Sequence, residues 1–202
     1  ATYNSWFGYN AGYNATTGDY NVGVGTNAGL GITTGSYNTA IGIQTMNSGV
    51  VTGVENTVVG AAAANLLSSG NYNLVLGAGI NGLTTGSRNI IIGVNDGGGI
   101  NSYGGDALTT GSGNVFIGAW NSMSSSATQT IALSDGGNGS AGTGNLRMYI
   151  DSSGNTNFGG DTTPNSFFTV GSTSQFQVNS SGAIAAATGI TTTGVLQLTG
   201  NA

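Results

Sequence analysis

The chain has 202 residues, of which 39 are glycine, two basic (Arg88 and Arg147) and seven acidic, giving a net charge of −5 with no histidine and no cysteine. So much glycine argues against ordinary helical folds, since glycine is costly in helix interiors, and collagen fails because glycine does not recur at every third residue. Two cations cannot neutralise a phosphate backbone or hold the chain to an anionic membrane, and no run of about 18 apolar residues is present to span a bilayer.

Disorder is the other composition-level reading of a glycine-rich polar chain. Disordered chains are rich in charge and poor in β-branched and aromatic residues, whereas only 4% of these residues are charged. The apolar residues also fall into columns, because one phrase recurs. It is clearest at Gly35–Gly42, Gly-Ser-Tyr-Asn-Thr-Ala-Ile-Gly, and returns at Gly18–Gly25, Gly53–Gly60, Gly70–Gly77, Gly86–Gly93 and Gly111–Gly118, with a clipped copy at Tyr3–Gly8. Self-similarity at a fixed period marks a repeat architecture.

Aligned on Asn4, Asn21, Asn38, Asn56, Asn73, Asn89 and Asn114, the copies lie 17, 17, 18, 17, 16 and 25 residues apart. The third residue after each asparagine is apolar: Phe7, Val24, Ile41, Val59, Leu76, Ile92 and Ile117. A second apolar column precedes the opening glycines: Ala15, Ile32, Val50, Leu67, Leu83 and Leu108. Two such columns per period predict an all-β fold, a parallel β-roll of stacked coils with two short strands and two turns each, with the Phe7-to-Ile117 column facing inward. Glycine four residues after the asparagine is expected to take positive φ or to let neighbouring rungs approach. Stacked asparagines predict a hydrogen-bonded ladder, and Tyr3, Tyr20, Tyr37 and Tyr72 a partial aromatic one.

The residues two after each asparagine are Trp6, Gly23, Ala40, Val58, Val75, Ile91 and Phe116. Side chains alternate along a strand, so this column is expected to face opposite to the inward one. Strands apolar on both faces are buried on both, which makes Trp6, Ala40, Val58, Val75, Ile91 and Phe116 the expected interface between copies. Three coils around an axis are the economical arrangement, and a dimer satisfies the same argument.

The phrase Asn38–Gly42 and its variants resemble the head repeats of trimeric autotransporter adhesins and the Gly/Asn-rich repeats of bacteriophage tail fibres. The resemblance covers roughly residues 3–120. It implies a homotrimeric β-roll used for attachment, outside the cell, on a surface appendage or a virion tail fibre. The adhesin heads have a shorter repeat, and this sequence shows neither a coiled-coil stalk nor a membrane anchor. The abrupt start at Ala1 suggests a piece of a longer array.

The roll is assigned to residues 1–120, a connector to 121–145 and an interwoven β shaft to 146–202. Strands are expected at 146–151, 155–158, 167–170, 175–179 and 195–199, with turns at Asp151-Ser-Ser-Gly-Asn and Asn179-Ser-Ser-Gly. Chemistry is sparse. Serine and threonine abound, but no histidine or lysine is present to activate them, so no catalytic, cofactor or metal residues are expected. Asp96, Tyr103 and Asp106 share the one long insertion and form the candidate binding loop. The expected partners are further copies of the chain and a glycan or protein receptor on a host surface, without nucleic acid or membrane insertion. The alternatives are a passive spacer of a longer appendage and, more remotely, an ice-binding rod built on the threonines that precede each glycine.

Overall fold

The computed structural model describes residues 1–47, 49–93, 108–118, 125–134 and 146–157; all of them fall in one compact unit, Ala1–Phe167. The expected binding loop of Asp96, Tyr103 and Asp106, and the strand candidates beyond residue 158, lie outside the described residues.

Among the described residues there is no helix. Seven three-residue strands follow the seven asparagines: β1 (Ser5–Phe7), β2 (Val22–Val24), β3 (Thr39–Ile41), β4 (Thr57–Val59), β5 (Leu74–Leu76), β6 (Ile90–Ile92) and β7 (Val115–Ile117). Each pairs in parallel with the next, at the same position of the repeat: Ala40 lies opposite Val58, Val58 opposite Val75, Val75 opposite Ile91. The result is a parallel β-solenoid with one short strand per coil rather than the two expected; in the described residues the second apolar column shows only an isolated bridge between Ile32 and Val51.

The roll runs past residue 120. An eighth strand, β8 (Ile131–Ser134), pairs in parallel with β7 inside the stretch expected to be a connector. Residues 127–134 are the phrase in altered spelling, with Thr130 in the asparagine position and Ala127 and Ser134 in the two glycine positions. Strand β9 (Leu146–Ile150) then runs antiparallel to β8, and β10 (Thr156–Asn157) antiparallel to β9, within the same sheet. The turn between them is the expected one: Asp151 Oδ1 accepts the backbone N–H groups of Ser153 and Asn155, both at 2.9 Å, and Gly154 takes φ of 83°.

The altered spelling explains the glycines. In the repeating rungs, a Cβ on Gly25 would stand 2.7 Å from the Gly42 carbonyl oxygen, and one on Gly42 would stand 2.5 Å from that of Gly60. These residues also take φ of 128° and 129°, a region open essentially to glycine alone. The opening glycines Gly35 and Gly53 are similarly pressed against the carbonyl of the following rung. Residues other than glycine take these positions in the first and last parallel rungs alone, Ala1 and Ala127 at the opening position and Ser134 at the closing one, and among the described residues no parallel strand follows β8.

The interior reverses one expectation. Ala40, Val58, Val75, Ile91 and Phe116 are buried within the single chain, in one core with Ile32, Leu67, Leu83 and Leu108. They are not the interface between copies. Trp6 of the same column packs partly buried against that core; its indole lies over Gly12, Gly23 and Gly29, where side chains would collide with it. The column from Phe7 to Ile117, expected inside, faces out instead: Ile41 is 38% exposed and Ala40 fully buried. Because side-chain direction alternates, assigning one residue to the wrong face reverses the whole strand.

A second correction concerns the 18-residue interval. The extra residue puts Val51 inside, bridged to Ile32, and leaves Val50 61% exposed.

Candidate interaction surface

Each asparagine side chain joins its rung to the next by two bonds. Asn38 shows the pattern: its Oδ1 accepts the N–H of Asn56 at 3.0 Å, and its Nδ2 donates to the Gly53 carbonyl at 2.9 Å. The same pair of bonds links Asn21 to Asn38 and Gly35, and Asn89 to Asn114 and Gly111. At the last rung Asn114 serves Thr130 and Ala127, and Thr130 Oγ1 turns back to its own Thr128 carbonyl. The amides are buried and satisfied, so this ladder holds the stack together and offers nothing to a ligand.

The corner before each asparagine is in the left-handed region, with φ between 51° and 59° at Tyr3, Tyr20, Tyr37, Glu55, Tyr72, Arg88 and Gln129. That conformation costs roughly 1–2 kcal/mol for residues other than glycine, and the asparagine bonds on its C-terminal side hold it. It aims these side chains outward in register. Tyr3, Tyr20 and Tyr37 stack with ring centroids 5.0 and 4.9 Å apart and nearly parallel planes. Arg88 sits over the Tyr72 ring, 5.7 Å from its centroid.

A second polar column lies one residue after each opening glycine and runs in the opposite sense. Ser36, Asn71, Ser87 and Ser112 accept the N–H groups of Asp19, Val54, Asn71 and Ser87 in the rung before, at 2.8–3.0 Å. The recurrence of small acceptors after a glycine is a sequence signal, though it is missed when the asparagine column alone is followed. Asp19 closes this column on Thr2, accepting its backbone N–H and, at 3.0 Å, its hydroxyl. These bonds hold the Asp19 carboxyl below its ordinary range, and the Asn155 and Ser153 bonds do the same at Asp151. Neither carboxylate faces a second acid, and among the described residues no three His, Cys, Asp or Glu side chains group to hold a metal.

The threonines before the glycines are committed to the turn. The hydroxyls of Thr16, Thr33, Ser68, Thr84 and Thr109 donate to carbonyls of the following rung at 3.0–3.3 Å. Only their neighbours Thr17, Thr34, Thr52, Ser69, Thr85 and Thr110 are exposed as one column.

What remains is the outer face of the sheet. One column holds Ser5, Val22, Thr39, Thr57, Leu74, Ile90, Val115 and Ile131; the other holds Phe7, Val24, Ile41, Val59, Leu76, Ile92, Ile117 and Leu133. None is charged, 13 of the 16 are aliphatic or aromatic, and none is fully buried. The outer face thus carries its own apolar columns, one residue to either side of the column from which an exposed stripe was expected and which lies inside. Comparison with protein-family models, with curated proteins and with solved structures returned no match for this chain.

Proposed function

We propose that this chain is a structural and adhesive segment of a homotrimeric extracellular fibre, without catalytic activity, that mediates attachment to a surface or host cell. The observation that carries the reading is the uncharged, apolar outer face running along eight consecutive parallel strands. Contiguous exposed apolar surface of this extent marks an interaction site, and a rod that repeats itself along its length is suited to bundling with other rods. The repeat's likeness to adhesin heads and tail fibres supports attachment, and an appendage or a virion tail fibre as the place. Mass measurement in solution tests the trimer; a stable monomer at high concentration would refute it. Binding to a glycan array and to intact cells tests adhesion.

A passive spacer is the second reading, favoured by the way the stack uses its polar groups. The buried asparagines and the hydroxyls of Thr33, Ser68, Thr84 and Thr109 bond the following rung, so these two ladders serve the stack rather than a receptor. Silence across a broad glycan and cell panel, with the trimer intact, would favour the spacer. Ice binding by the threonines is disfavoured by the same bonds, since hydroxyls donating to the next rung cannot order water in two matched columns.

A further inference from the structure

We propose that the edge of the roll carrying the tyrosine and threonine columns is a binding strip for a neutral, linear, β-linked polysaccharide of the cellulose or chitin type, which lies along the rod with successive sugars on successive rungs. This rests on the adhesive reading above and names its site and ligand class. Three observations point to it.

The first is where the tyrosines stand. Tyr3, Tyr20, Tyr37 and Tyr72 take φ of 58–59°, an outlying conformation for a bulky side chain and one open to glycine. Gly113 holds the same corner in its own rung with φ of 73°, so the backbone there admits glycine. Yet four tyrosines occupy the corner, and they are 47–76% exposed. Stacking offsets part of the strain at Tyr3, Tyr20 and Tyr37, but among the described residues no tyrosine stacks on Tyr72. Strain kept beneath exposed side chains points to contact with something outside the chain.

The second is a set of free hydroxyls. Three residues before this corner runs the exposed column of Thr17, Thr34, Thr52, Ser69 and Thr85, whose hydroxyls bond no group of the described residues. Between the two columns each rung has only a buried glycine and a half-buried residue, as at Gly35 and Ser36. Hydroxyls that both donate and accept are the natural partners of sugar hydroxyls.

The third is period and charge. An extended β-linked sugar chain advances per residue by close to one rung, about 4.8 Å, and the tyrosine rings lie 5.0 and 4.9 Å apart. A linear polymer therefore meets the same groups at every step. A net charge of −5 with two basic residues disfavours acidic polysaccharides and nucleic acid. A peptide would need a free sheet edge or apolar side-chain pockets, which hydroxyls and ring edges do not supply.

Calorimetry with the intact chain and oligomers of β-linked glucose and N-acetylglucosamine tests the strip. Affinity should rise with oligomer length until the ligand spans the corners from Tyr20 to Arg88. Tyr20→Ala with Tyr37→Ala should weaken it roughly tenfold or more, the worth of two aromatic contacts. Thr34→Val with Thr52→Val keeps the shape of two exposed side chains and should weaken it roughly threefold. Unchanged affinity in this threonine pair would overturn the proposal even where the tyrosine variant fails to fold. Tyr9→Ala with Tyr13→Ala removes two exposed tyrosines outside both columns and should leave affinity unchanged. A loss there equal to that of the tyrosine-column variant would show unspecific adsorption to aromatic groups and overturn the strip. A chain that adheres to cells or to other glycans but binds neither oligomer series would overturn it while sparing the adhesive reading. Silence toward cells and every glycan would remove that reading, and the strip with it.

Discussion

Asn73 stands between Asn56 and Asn89 and bonds both: its Nδ2 donates to Asn56 Oδ1 at 2.9 Å, and its own Oδ1 accepts the N–H of Asn89 at 3.0 Å. It also donates to the Gly86 carbonyl at 2.9 Å. All three asparagines are buried, so loss of the Asn73 amide strands two groups of the next rung, the Gly86 carbonyl and the Asn89 N–H, while Asn56 Oδ1 keeps the backbone N–H of residue 73. Each stranded group costs about 1–3 kcal/mol, and Asn73→Ala should therefore destabilise the fold by about 3–5 kcal/mol, measured as a lowered denaturant midpoint. An alanine variant within 1 kcal/mol of the parent, a threshold of about the worth of one hydrogen bond, would show that the ladder does not hold the stack.

Asn73→Asp separates the two halves of the amide. The carboxylate keeps an acceptor for Asn89 but loses the donor that faced Gly86. Burial favours the neutral acid and raises its folded pKa above the unfolded one. Stability should then be low at neutral pH and recover as pH falls and the carboxyl becomes a donor, opposite to the trend in the parent. Denaturation curves at several pH values check the sign.

How much of this was legible turns on the same asparagine. The period, the strands, the asparagine and tyrosine ladders and the glycine corners follow from local chemistry, because stacking in register repeats one environment at every rung. The inward face does not follow from apolarity, since residues two and three positions after each asparagine are both mostly apolar. The asparagine itself held the answer: side chains two apart share a face, so a buried amide at Asn38 puts Ala40 inside and Ile41 out. Gly23 misleads in the same way, because it marks not an outer position but the space beneath Trp6. The eighth rung was obscured by the changes a last rung permits, Thr130 for asparagine and Ala127 and Ser134 for glycine.

The glycines make a position-dependent prediction. Gly42→Ala forces a Cβ to 2.5 Å from the Gly60 carbonyl at a φ of 129°, and strain at such a backbone costs of order 1–3 kcal/mol before the clash is counted. A loss above about 3 kcal/mol is expected there. Ala127→Gly should cost only about 1 kcal/mol or less, the conformational freedom a glycine adds. Equal losses at the two sites would contradict close rung approach as the reason for glycine.

At the other end of the stack the indole of Trp6 sets the size of its neighbours. A Cβ on Gly23 would come within 2.5 Å of the Trp6 ring. Gly23→Ala should destabilise the parent by about 1–3 kcal/mol through overpacking, and Trp6→Ala by about 2–4 kcal/mol, since the ring is only partly buried. In the double variant the alanine occupies space the indole has left, so the losses should fall short of additivity by at least about 1 kcal/mol. A strictly additive pair would separate Trp6 from the glycines beneath it.

The turn after β9 responds to acid through Asp151. Its carboxylate accepts the Asn155 side-chain amide at 2.8 Å and the N–H groups of Asn155 and Ser153 at 2.9 Å. These bonds lower its folded pKa from the ordinary value of 3.8. A depressed carboxylate pKa contributes stability that is present above the unfolded value and lost as pH falls through the folded one. The Ser153 and Asn155 amides should therefore lose hydrogen-exchange protection below that range, after correction for the intrinsic exchange rate, while those of β3 to β6 keep theirs. Asp151→Asn should remove the acid transition at this turn. A transition that persists in the variant would assign it to another group.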